Sequence, residues 1–155
     1  MSDKLYIHYG HPRFEKDEFH TIENRPAFSK PFGGLWASPV DAELGWKQWC
    51  MNESFALNCF DSNFTFRLSE NSKVLHIRSV RDLELLPVQK EFDFLERMVC
   101  PDFEKLVSDG WDAIELHLSE ENVEGFGWLD GLYWYLYGWD CDSILVMNPD
   151  VVEVV

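Results

Sequence analysis

The chain has 155 residues, 46% of them apolar and 26% charged, the balance of a globular protein with its own core. At this length roughly 70% of the unfolded chain's surface is buried on folding, which points to one domain spanning residues 1–155. Twelve Phe, seven Trp and five Tyr exclude a disordered chain. Thirteen Lys and Arg against 28 Asp and Glu leave a net charge of −15. Duplex phosphates and an anionic membrane leaflet both repel such a chain, so neither is expected as a direct partner.

No run of ~18 apolar residues marks a transmembrane helix. Met1-Ser2-Asp3-Lys4-Leu5-Tyr6 lacks the basic and apolar regions of a signal peptide. The cysteines Cys50, Cys59, Cys100 and Cys141 form no C-x-x-C pair. The expectation is a cytoplasmic protein with free, buried thiols.

In chain order, Leu5 to Tyr9 reads as a strand ending at Gly10. The polar stretch from His11 to Lys30 is long for a structureless loop, and such loops often act in function or hold a short helix. Gly33-Gly34-Leu35-Trp36-Ala37 reads as a second strand. Ser38-Pro39-Val40-Asp41 reads as a helix start, predicting a helix from about Pro39 to Met51 with Leu44, Trp46, Trp49 and Cys50 available for burial. Phe64, Phe66 and Leu68 alternate with Thr65 and Arg67, a half-buried strand. Asn71-Ser72 turns it toward Val74, Leu75 and Ile77 as a hairpin partner.

Ser79 caps a short helix that ends at Leu86, before Pro87. Glu91 to Val99 is spaced as a helix. Pro101-Asp102 opens another, closed by Gly110. Asp112 to Leu116 is a strand, and Trp128 to Tyr137 is an aromatic segment of no assigned type. Ser143 to Met147 is the most apolar strand, ended by Asn148-Pro149, with Val151 to Val155 as an edge strand. Strands outnumber βαβ units, so the fold class expected is α+β, a mostly antiparallel sheet with short flanking helices.

Phosphate-binding glycine loops, H-E-x-x-H and G-x-S-x-G are absent from the sequence. His8-x-x-His11 is half of a metal site with no complementary pair, so no metal is assigned. The setting of Cys50 and Cys141, among Trp and Asp without basic neighbours, disfavours a thiolate nucleophile.

Three patches are informative in combination: Tyr6-Ile7-His8-Tyr9-Gly10; Phe32-Gly33-Gly34-Leu35-Trp36-Ala37-Ser38-Pro39, followed by a helix ending in Trp49-Cys50; and Asp140-Cys141-Asp142-Ser143-Ile144-Leu145-Val146-Met147-Asn148-Pro149. Their order resembles the ADP-ribosyltransferase superfamily. The second patch is similar to the G-x-G-[IL]-Y-F-[AS]-[DSP] segment of the poly-ADP-ribose polymerases. The third is similar to the late strand that bears the catalytic acid. Gly110-Trp111-Asp112-Ala113-Ile114 resembles a strand of the bacterial and phage-type members.

The resemblance implies a split sheet that binds NAD as co-substrate and breaks the nicotinamide–ribose bond through an oxocarbenium-like transition state. A carboxylate near the sugar stabilises that charge. It implies that ADP-ribose passes to a macromolecular acceptor, in most cases a protein. Carried over, His8 holds a ribose hydroxyl and Gly10 offers its backbone to the carboxamide. Gly34 and Trp36 contribute the glycine and the stacking ring of the second patch, and Ser38 supports the acid. Asp142 is the catalytic carboxylate, with Asp140 orienting the acceptor. Tyr9 separates His8 from Gly10, where the polymerases have the two adjacent. An alternative alignment, on Asn148-Pro149, puts Ser143 in the acid position instead of Asp142.

Plainer readings stand beside these. His8 also fits a structural strand histidine, Gly33-Gly34 a turn, Asp140 and Asp142 solvated strand-entry acids, and Trp36, Trp46 and Trp49 core, with Trp36 alone of the three placed to line a cleft. At the level of the whole chain, the charge of −15 also fits a non-enzymatic acidic inhibitor that mimics nucleic acid. A glycohydrolase of the same fold needs no acceptor.

Overall fold

A computed structural model describes residues 3–25, 29–89, 100–118, 136, 139 and 141–155. The helix expected over Glu91–Val99, Asp140, and the aromatic segment apart from Leu136 lie outside the described residues. The fold is α+β, built on a seven-stranded sheet. Its strands are β1 (Tyr6–Tyr9), β2 (Leu35–Pro39), β3 (Asn63–Leu68), β4 (Val74–Ile77), β5 (Ala113–Leu116), β6 (Ser143–Val146) and β7 (Val152–Val154), in the order β4-β5-β6-β2-β1-β3-β7. Only the β4–β5 pair is parallel among the described strands.

Two elements differ from the sequence reading. β4 does not return beside β3. It crosses to the far edge of the sheet and pairs with β5, in register from Val74↔Ala113 to Ile77↔Leu116. The turn after β3 does form, with the Ser72 amide and hydroxyl both donating to the Ser69 carbonyl. The place beside β3 that a hairpin partner would take belongs to β7.

The second difference is at Ser38-Pro39. Pro39 does not open a helix; it ends β2, opposite Tyr6. Pro39 lies beyond Ala37↔Ile144, the last β2–β6 pair, and the ladder to β1 continues past it through the Val40 amide on the Leu5 carbonyl, so its missing N–H breaks neither. The helix α1 (Trp46–Glu53) starts seven residues later. Ser38 still caps it, because its Oγ accepts the Trp46 amide at 2.9 Å across the intervening loop. Of the α1 side chains only Cys50 is buried. Trp46 and Trp49 are half-buried and stack on each other at 5.3 Å.

Side chains alternate across the sheet and define two cores. On one face Tyr6, Leu35, Ala37, Phe64, Phe66, Ala113, Ile144 and Val146 pack together, with Phe14 and Phe19 of the N-terminal loop against them. On the other, Ile77, Ile114, Leu116 and Leu145 pack against α2 (Val80–Glu84) and α3 (Phe103–Ser108) through Leu83, Phe103 and Leu106.

Side-chain caps fix the connections. Ser79 accepts the Asp82 amide and Asp102 the Lys105 amide. Asn24 reaches across to α3, its Oδ1 accepting the Phe103 amide at 2.8 Å, so the long N-terminal loop is tied to the helical face. Among its described residues that loop forms a 3-10 turn at Lys16–Glu18. Asp112 of the Gly-Trp-Asp segment is also structural. Its carboxylate accepts the Lys73 amide and the Asn148 side chain, joining the start of β4 to the end of β6.

Candidate functional site

β1 and β2 share only two registered pairs, Tyr6↔Pro39 and Ile7↔Ser38. At the position of the next hydrogen-bonded rung, the Trp36 carbonyl instead faces the His8 side chain, with Nδ1 at 2.6 Å. A carbonyl only accepts, so Nδ1 carries the proton and Nε2 presents a lone pair. His11 Nδ1 lies 2.8 Å from that Nε2 and is positioned to donate to it. Burial pushes the His8 pKa down, partly offset by the carbonyl, so the ring is held neutral.

Where this ladder stops, a cavity of about 270 Å³ opens. Trp36, Trp46 and Trp139 supply aromatic walls, and Ser38 and Ser143 supply hydroxyls. The ring of Trp139 meets that of Trp36 edge-on at 4.7 Å and is fixed by its indole N–H, which donates to the Ser29 carbonyl. The Lys30 ammonium lies over the Trp36 ring at 5.4 Å and lines the same space. A second, more polar cavity of about 570 Å³ lies beside it, lined by His11, Arg13, Glu15, Asp17 and Gly34 among others. His8 borders both.

The residues singled out from sequence therefore part company. His8, Trp36 and Ser38, from two separated segments, meet on one cavity. Gly34 lines the second cavity. Its φ of +77° and a neighbouring Leu145 Cδ1 only 2.5 Å from where a Cβ would sit restrict the position to glycine. Gly10 lines neither, and its amide donates to the Ser62 carbonyl at 2.8 Å.

Asp142 is absent from both linings. Its carboxylate accepts the Leu118 amide at 2.5 Å, and its own amide donates to the Leu44 carbonyl. Strand alternation turns its neighbour Ser143 toward the cavity instead, where the hydroxyl donates to the Cys141 carbonyl. Of the alternatives Asp142 and Ser143, the serine faces the cavity.

Sequence reasoning missed a polar group on the opposite face. Glu115 is 0% exposed and sits between Lys4, Tyr6, His76 and His117. The signal was present: Glu115-x-His117 places a carboxylate and an imidazole on one face of an otherwise apolar strand. Comparison with protein-family models, curated proteins and solved structures finds no match to the chain.

Proposed function

We propose that the cavity beside Trp36 receives the nicotinamide–ribose end of NAD, and that the chain is an NAD-binding domain of the ADP-ribosyltransferase type. The observation that carries this reading is the meeting of His8, Trp36, Ser38 and Lys30 on one space. An indole face suits a flat pyridine ring once the Lys30 ammonium that lies over Trp36 moves aside to the diphosphate. The Nε2 lone pair of a neutral His8 accepts a ribose hydroxyl once the exposed His11 swings away. A cavity of 270 Å³ holds one end of a dinucleotide. The second cavity, which shares His8 as a wall, takes the other end. Lys30 in the first cavity supplies a cation for a diphosphate on a chain of net charge −15, whereas Arg13 in the second is paired with Glu15.

Transfer of ADP-ribose to a macromolecular acceptor is the reaction this reading leads to. It needs a carboxylate at the sugar to stabilise positive charge. The Ser143 hydroxyl is neutral and does not provide it. For Asp142 to act it must release the Leu118 amide, so binding is the better-supported step.

Calorimetric titration with NAD, and separately with nicotinamide, tests binding. Saturable heat for both is expected, with affinity reduced ~10-fold or more in Trp36→Ala, the loss of one ring-stacking contact. Nicotinamide release and label transfer from NAD, compared with Asp142→Ala, test the reaction. Absence of heat with either ligand contradicts the reading.

A further inference from the structure

The sheet face opposite Trp36 carries a second constellation that the reading above does not use. His76 lies on β4, Glu115 on β5 and His117 just beyond β5, and the β4–β5 register sets His76 beside Glu115. One ligand atom from each falls within 4.8 Å of the others. His76 Nδ1 is 2.8 Å from His117 Nε2, and Glu115 Oε2 is 3.6 and 3.9 Å from these two nitrogens. Tetrahedral ligands at ~2.0–2.1 Å from one ion stand about 3.3 Å apart, the middle of this spread.

We propose that His76, Glu115 and His117 form a binding site for a divalent transition-metal ion of the zinc class. Two imidazoles and one carboxylate are the donor set such ions accept, with a fourth position left open. The carboxylate is already oriented from behind. Tyr6 donates its hydroxyl to Oε2 at 2.9 Å, and Lys4 donates to Oε1 at 2.5 Å. Such outer partners hold a ligating carboxylate in place. The Lys4 side chain is 35% exposed, so its ammonium can turn to solvent when a dication arrives. Among the described strands β4 is at the edge, and His76 is half-exposed, which gives the ion a way in.

The test uses the full chain with Zn²⁺ and with Co²⁺ as a spectroscopic substitute. One ion per chain is expected by equilibrium dialysis. The cobalt form should show d–d absorption of tetrahedral intensity and no thiolate charge-transfer band. His76→Ala, on an edge strand, should keep the wild-type circular dichroism and lose more than about 100-fold in affinity. Tyr6→Phe should lose ~10-fold, the usual cost of an outer partner. His11→Ala removes the other histidine pair and should leave the metal affinity and stoichiometry unchanged. No stoichiometric metal in the wild type overturns the proposal. So does a thiolate band, which would place the ion on cysteine, or an affinity that falls in His11→Ala and survives in folded His76→Ala.

Discussion

From β2 through β6 and β5 to β4, neighbouring strands share three, four and four registered pairs; β1 and β2 share two. The well-zipped half is filled by Ile114, Leu116, Ile144, Leu145 and Val146, all fully buried. At the β1–β2 junction an imidazole stands where a backbone amide would continue the ladder, and a cavity follows. Regular pairing leaves no room for a ligand. An interrupted pairing leaves carbonyls, rings and hydroxyls facing open space, so the candidate site lies where the sheet's regularity lapses.

Substitutions in the packed regions should cost the most. Phe66→Ala removes a fully buried ring from the centre of one core. A loss of about 3–5 kcal/mol is expected from urea unfolding. Gly34→Ala drives a methyl into Leu145 and Ile22 at a positive φ, for about 2–3 kcal/mol, and should shift β2 enough to weaken NAD binding as well. Unchanged stability in Gly34→Ala would contradict a glycine requirement at this position.

Asp142→Ala separates structure from chemistry. It leaves the Leu118 amide without its acceptor, costing about 1–3 kcal/mol, while calorimetric affinity for NAD stays at the wild-type level. A fall in affinity with no fall in stability would move the carboxylate into the site. Ser38→Ala removes the hydroxyl that caps α1 and should cost about 1 kcal/mol by thermal melting.

The smallest effect is on pH dependence. His8 and His76 both have pKa values held below the ordinary 6.5, mainly by burial. The unfolded chain therefore binds more protons than the folded one once pH drops below that value. Stability is full above it and declines as pH falls from there toward the lowered folded-state values. Urea midpoints measured between about pH 7.5 and 5.5 should fall, and His8→Gln should flatten part of the slope.

Much of the fold was legible because alternation is local. Phe64, Phe66 and Leu68 announce a strand whatever lies beside them, and Ser79 and Asp102 announce helix starts through their caps. Strand partners were not legible, since Val74 to Ile77 carries nothing that distinguishes β3 from β5 as its neighbour. Ser38-Pro39 has a helix signature that tertiary pairing with Tyr6 overrides. At the site, His8, Trp36 and Ser38 were found from short patches. Lys30 was not, because it reaches Trp36 from a loop whose path no pattern encodes. The orientation of Asp142 against Ser143 depends on strand register, which one residue of slip reverses.

A crystal structure of the chain with NAD tests the central claim most directly. The account predicts the pyridine ring against Trp36, between the two strands, with a ribose hydroxyl on Nε2 of His8. Density elsewhere on the molecule, with the space beside Trp36 filled only by solvent, would contradict it.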